Sequence, residues 1–245
     1  MAVPLFDREI RYSPGQCIGG FRILKPAGEG KYGICYLVTD NENLYILKQL
    51  KKRMLRAESP KAQCEEKILK ILEHEAIPRF AGRLETSQFT GYMLEYKEGA
   101  TLEDMIFKQG YVFGRGEIYS IGKQLIGIMD YLHQRGIVHM DIRVPNVIFD
   151  GSRVYLVDFG SAGWIDNVRY KADMDFSYFG DLLLHLYYTS FSDKPRKSRP
   201  WYEELDLSTG ELYFLKRLMG LEERYETMGE LKADFEGVFK CRLNA

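Results

Sequence analysis

His139-Met140-Asp141-Ile142-Arg143-Val144-Pro145-Asn146, followed twelve positions later by Asp158-Phe159-Gly160, is the stretch from which the fold of this chain is read. Two short β-type runs separate the clusters: Val147-Ile148-Phe149 and Val154-Tyr155-Leu156-Val157. Asp150-Gly151 between them is a hairpin signal, because both residues tolerate the backbone of a tight turn. Such a hairpin folds the end of its second strand back toward the start of the first. It therefore predicts that Asp158 and Asn146 lie near one another.

Outward from this hairpin the chain changes character. On the N-terminal side, Ile118, Ile121, Leu125, Ile128 and Leu132 recur at spacings of 3 and 4, the pattern of an amphipathic helix. Gly136 stands where a C′ glycine ends such a helix. On the C-terminal side, helices are predicted over 175–188, 211–219 and 228–239. The first hundred residues read instead as short strands: Phe21-Arg22-Ile23-Leu24, Cys35-Tyr36-Leu37-Val38, Leu44-Tyr45-Ile46-Leu47 and Tyr92-Met93-Leu94. One helix interrupts them. Ser59-Pro60 reads as its N-cap and first position, and Ile68, Leu69 and Leu72 share a face over 61–74. A small β-rich lobe followed by a larger α-rich lobe is the expected α+β architecture, with the change near residues 96–99.

Composition sets bounds. A chain of 245 residues with 45% hydrophobic content can bury one domain or two lobes. A net charge of -1 gives no basic field for nucleic acid. Cys17, Cys35, Cys64 and Cys241 form no C-x-x-C pair and read as reduced thiols of a cytoplasmic protein. The first eleven residues carry charge at Asp7, Arg8, Glu9 and Arg11 and do not read as a signal peptide. The longest apolar run, residues 182–188, is too short for a bilayer, so no membrane partner is expected. Lys194, Arg196, Lys197 and Arg199 form a basic run read as a solvated loop, with docking of an acidic partner as the alternative.

Further residues carry chemistry. Gly28-Glu29-Gly30-Lys31-Tyr32-Gly33 lies between two predicted strands, where glycines let backbone amides approach phosphate. The strand-turn-strand setting argues against a dinucleotide site. Lys48 follows 15 residues after Gly33, and Glu65 on the predicted helix is placed to hold it. The neighbouring Glu66 reads as a solvated charge. A carboxylate to orient a hydroxyl, with oxygen donors for a divalent cation, is what phosphoryl transfer requires.

Taken together these motifs resemble the eukaryotic-like serine/threonine protein kinase family, in particular the short soluble kinases of Gram-positive spore-forming bacteria, which similarly read H-x-D-I-R-x-P-N. The resemblance runs from Phe21 to Phe239 and implies a kinase domain over 21–240, with lobes of about 21–96 and 99–240 and an N-terminal extension over 1–20. It implies ATP and Mg2+ as cofactors and an unidentified protein substrate. Asp141 would be the catalytic base, assisted by Arg143, Lys48 and Glu65; Asn146 and Asp158 would be the magnesium ligands. Nucleotide contacts would come from Ala27, Gly28, Glu29, Gly30, Gly33, Cys35, Ile46, Lys48 and Ile148, and from Leu94 as gatekeeper with Glu95 and Lys97 at the hinge. Asp175 matches the aspartate of the family's central helix. The sequence departs from the family at Met140 (usually Arg), Arg143 (usually Lys), Ile46 (usually Ala) and Cys35 (usually Val). Only 14 residues, 161–174, separate Gly160 from Asp175, without an Ala-Pro-Glu motif, so the activation segment is truncated. The alternatives are a small-molecule kinase on a related fold and a nucleotide-binding pseudokinase module.

Overall fold

The computed structural model describes residues 9–56, 60–191 and 199–243. Ser59 of the expected cap, and Lys194, Arg196 and Lys197 of the basic run, lie outside them. The chain divides into two compact units at the junction of Lys97 and Glu98. The first is β-rich and the second helix-rich, the α+β kinase-like architecture.

The first unit is built on an antiparallel sheet ordered β1-β2-β3-β4-β6-β5: β1 (Cys17–Ile18), β2 (Phe21–Glu29), β3 (Gly33–Thr39), β4 (Leu44–Leu50), β5 (Phe80–Glu85) and β6 (Thr90–Glu95). Helices α1 (Lys52–Arg56) and α2 (Pro60–Ile71) lie between β4 and β5. The pleat sorts the central strands into two faces, because cross-strand partners share a side. Cys35, Lys48 and Tyr92 form one row across β3, β4 and β6, and Leu37, Ile46 and Leu94 the next row on that face. The opposite face carries Ile34, Tyr36, Leu47 and Gln49, and residues of the segment before β1 pack against it. On α2, Ile68, Leu69 and Leu72 are buried as their spacing predicts. Glu66 is a correction: it is buried, paired with Lys70 at 2.7 Å and Arg83 at 2.8 Å. Strand β5 has no counterpart in the sequence reading, since Gly82 and a register shift interrupt its pattern.

The second unit opens with β7 (Ala100–Thr101) and a π-helical turn over Asp104–Lys108. Its core is α3 (Arg115–His133), α4 (Ala172–Tyr188), α6 (Thr209–Leu218) and α7 (Met228–Leu243), with a short α5 (Trp201–Glu204) between α4 and α6. Ile118, Ile121, Leu125, Ile128 and Leu132 of α3 are all buried. A Cβ on Gly122 would stand 2.7 Å from the Phe235 ring, so glycine there lets α3 and α7 approach closely. The end of α3 is a small correction: Gln134 is the C-cap and left-handed Gly136 falls two residues beyond it. The chain then forms β8 (Ile137–Val138), β9 (Val147–Phe149), β10 (Val154–Leu156) and β11 (Gly163–Trp164). The β9–β10 hairpin closes with a four-residue loop. One oxygen of Asp150 accepts from the Ser152 and Arg153 amides at 2.9 and 2.7 Å, and the other accepts from the Tyr155 hydroxyl at 2.9 Å. Among the described residues no helix is long and apolar enough to cross a membrane.

Candidate active site

In the first unit the sheet and α2 bring Lys48 and Glu65 together. Lys48 Nζ donates to Glu65 Oε1 at 2.6 Å, with side chains only 5% and 2% exposed. Lys48 reaches α2 because β4 turns its side chain to that face, in the row with Cys35 and Tyr92. Burial, together with the Glu65 charge, pushes the Tyr92 hydroxyl well above its ordinary value, so this row carries a neutral phenol beside the ion pair.

The glycine turn joins β2 to β3. Gly28 pairs with Cys35 and Glu29 with Ile34, and the Gly30 amide donates to the Gly33 carbonyl at 3.0 Å. A Cβ on Gly33 would come within 2.6 Å of the Gln49 carbonyl, so only glycine lets β4 pass this close. Ala27, Gly28, Glu29 and Gly30 are exposed along the turn, while Cys35 and Ile46 are half-buried and Leu94 is buried. Glu95 and Lys97 close the unit as an ion pair at 2.9 Å. The Glu95 amide is occupied, donating to the Arg79 carbonyl at 2.9 Å.

In the second unit Asp175, near the start of α4, is the hub. Fully buried, its carboxylate accepts from the His139 amide at 3.0 Å and the Met140 amide at 2.7 Å, and pairs with His133 Nε2 at 3.0 Å. Met140 sits in the left-handed region at φ 64°, a backbone that costs a non-glycine residue energy and is held here by the buried carboxylate. The residue after it, Asp141, is thereby aimed by two anchored neighbours. His133 is a partner of Asp175 that no motif signalled.

Around Asp141 the contacts are local. Arg143 grips it through Nε on Oδ1, and through Nη2 on Oδ2 at 3.1 Å. Asn146 Nδ2 donates to both its carbonyl and Oδ2 at 2.9 Å. A carboxylate has about four lone-pair positions, so Oδ1 keeps capacity for one more donor. The carboxylate also raises the Arg143 guanidinium above its ordinary value.

The hairpin does bring Asn146 and Asp158 together: the Val157 amide donates to the Asn146 carbonyl at 2.9 Å, making Asp158 its next neighbour. Asp158 is left-handed at φ 59°, and its Oδ1 accepts from the Gly160 amide at 3.3 Å. With its amide nitrogen committed to Asp141, the donor Asn146 can offer a cation is Oδ1. An amide oxygen and a carboxylate are hard donors that suit Mg2+, which takes its remaining positions from water and phosphate. Among the described residues no group of three or more His, Cys, Asp or Glu is placed to hold a metal ion. His139 ties the loop to the same segment: its Nε2 lies 3.2 Å from the Val157 carbonyl and its ring meets Phe159 edge-on at 4.6 Å. Burial lowers its pKa, so the imidazole is neutral and Nε2 donates. Ile148, half-buried, pairs across to Thr101.

The truncated segment after Gly160 is tied down locally. The Ile165 amide donates to the Gly136 carbonyl at 2.7 Å, and Asp166 Oδ1 accepts from the amides of Val168, Arg169 and Tyr170, each at 2.8 Å.

Comparison with known proteins agrees with this geometry. Residues 21–179 match the family described as Protein kinase domain. A probable serine/threonine-protein kinase of Bacillus subtilis, YbdM, is 34% identical over 94% of this chain and 93% of its own length. The human serine/threonine-protein kinase Nek11 is 35% identical over 54% of this chain, and the yeast cAMP-dependent protein kinase type 3 is 28% identical over 62%. The matches span 22% and 39% of those two longer proteins.

Proposed function

Since this chain belongs to the protein kinase family, we propose that it transfers the γ-phosphoryl group of ATP to a serine or threonine hydroxyl of a protein substrate. It is an ATP-dependent serine/threonine kinase with a truncated activation segment, and its kinase domain runs from residue 21 to 240. The observation that carries this reading is the Asp141 constellation: a carboxylate aimed by Asp175 and held by Arg143 and Asn146.

In this reading the substrate hydroxyl donates to Asp141 Oδ1. Its oxygen forms the new bond to the γ-phosphorus as the bond to the β-phosphate bridging oxygen breaks, and ADP leaves. Asp141 takes the proton, and Arg143 spreads the charge. Lys48, fixed by Glu65, supplies positive charge to the α- and β-phosphates. The glycine turn over 28–33 offers backbone amides, and Cys35, Ile46 and Leu94 offer apolar contact to adenine. The Glu95 amide being occupied, its contribution is the carbonyl. Lys97 would add its backbone amide. Asn146 and Asp158 would hold Mg2+, which when bound screens repulsion between phosphate oxygens and carboxylates. A cytoplasmic location fits Cys17, Cys35 and Cys64, which are exposed or half-buried and not joined in disulfides.

The test is transfer from γ-labelled ATP to generic proteins, to the chain itself and to a panel of small alcohols. Labelling of proteins on serine or threonine, absent in Asp141→Asn, is expected. Labelling confined to small molecules would establish the small-molecule kinase instead, and ATP binding without transfer a pseudokinase.

A further inference from the structure

The segment before β1 precedes residue 21, where the kinase-family match begins, yet it is built into the first unit. The Gly15 amide donates to the Ile23 carbonyl at 2.9 Å, and the Ile23 amide to the Gln16 carbonyl at 2.8 Å. Tyr12 packs its ring on Tyr36 and Phe89, with centroids at 5.9 and 6.0 Å, and its hydroxyl donates to the Gln88 carbonyl at 3.0 Å. The Ile10 carbonyl accepts from Gln49 Nε2 at 3.1 Å, next in sequence to Lys48, and Glu9 Oε1 accepts from the Lys52 amide at 2.8 Å. These contacts cover the sheet face opposite Lys48.

One contact reaches the glycine turn itself. Glu29, between Gly28 and Gly30, has a cation on each carboxylate oxygen: Arg11 on Oε2 and Lys51 on Oε1, both at 2.8 Å. Lys51 also donates its amide to the Tyr32 carbonyl at 3.2 Å. A turn with three glycines has large backbone freedom to lose when its amides close on a phosphate. A clamp that limits this freedom before binding lowers the entropic cost of binding.

We infer that residues 9–12 form a positioning strap, in which Arg11, acting through Glu29 together with Lys51, holds the glycine turn ready for nucleotide. This rests on the kinase reading of that turn. The strap makes ATP affinity depend on chain outside the matched kinase segment, and it leaves the chemical step alone.

The test compares wild type, Arg11→Ala, Arg11→Lys, Glu29→Gln and the Arg11→Ala/Glu29→Gln double variant. It reads KM for ATP, kcat and, without nucleotide, amide hydrogen exchange over residues 28–33. Because the pair is partly exposed, Arg11→Ala should raise KM about two- to fivefold with kcat within about twofold. Exchange over 28–33 should quicken, and Arg11→Lys should restore both readings. In the Glu29→Gln background Arg11→Ala should add nothing, as expected when one interaction is lost twice. Unchanged exchange in Arg11→Ala overturns the strap, whatever the protein does with ATP. Faster exchange in a wild-type fold that binds no ATP overturns the kinase reading, and the nucleotide role with it. A fall in kcat equal to the rise in KM, unrescued by lysine, also overturns it.

Discussion

Two acid–cation pairs carry the proposed chemistry, one in each unit, and they are built in opposite ways. Lys48 and Glu65 join a strand to a helix across 17 positions of sequence and are sealed from water. Asp141 and Arg143 are two residues apart, with side chains 19% and 49% exposed. Removing one partner of a sealed pair strands a charge in a medium that cannot solvate it. Removing one partner of a wet pair lets water take over. The first pair therefore fixes structure, and the second is free to exchange partners during a reaction. Rate and stability should separate between them.

The largest effect expected on this view is on rate. Asp141→Asn should lower turnover by roughly two to four orders of magnitude, the usual worth of a general base, while costing at most about 1 kcal/mol of stability. Initial rates of phosphoryl transfer beside urea unfolding measure both. Wild-type turnover in the purified variant would remove Asp141 from the chemistry and break the comparison at its second pair.

Glu65→Gln reverses the balance. It should cost about 3–5 kcal/mol in the same unfolding experiment, because a sealed ion pair loses one of its two charges. A loss below about 1 kcal/mol would make the two pairs alike.

Asp158→Ala sharpens the second unit further. ATP binding, titrated with and without magnesium, should lose its magnesium enhancement, since the variant keeps one of two hard oxygen donors. An unchanged enhancement would take Asp158 out of the metal site.

The smallest effect is on pH dependence, and it asks whether burial beneath Asp141 matters although Asp141 itself is wet. His139 has its pKa lowered from 6.5, by burial first. The folded protein thus binds fewer protons than the unfolded chain once pH drops below that value. Its stabilising share is complete above 6.5 and is lost as pH falls, at up to about 1.4 kcal/mol per pH unit. His139→Gln should have a flatter stability curve between about pH 6.5 and 5. Parallel curves for the two proteins would show that His139 does not titrate on unfolding.

What was legible in the sequence follows the same division. Local signals spoke clearly. The spacing of Ile118 to Leu132 gave the buried face of α3, and Asp150-Gly151 between two β-type runs gave the hairpin. The proximity of Asn146 and Asp158 followed from that hairpin. Long-range partners outside the family's motifs did not show. Glu66 looked like any surface glutamate until Arg83, 17 positions away, closed on it. Arg11 and Tyr12 fall in what reads only as an N-terminal extension, because their partners, Glu29, Tyr36 and Gln88, lie elsewhere in the chain. Strand β5 escaped because Gly82 leaves the middle of its less exposed face, between Phe80 and Leu84, without a side chain.

The Asp150 loop has a consequence in time as well as in space. Every bond that closes the hairpin around it spans two to five positions of sequence. Loop closure on that scale takes well under a microsecond and hairpin formation roughly 1–10 microseconds, far faster than long-range docking. The backbone proximity of Asn146 and Asp158 is therefore available early in folding. The alignment of Met140 and Asp141 must wait for Asp175, which lies 35 positions beyond Met140. Asp150→Ala should accordingly slow folding by most of what it takes from stability, whereas Asp175→Ala should chiefly speed unfolding, a difference that chevron kinetics would read directly. The two oxygen donors would then be neighbours before the catalytic aspartate is aimed, so the order of assembly is written in the lengths of the loops.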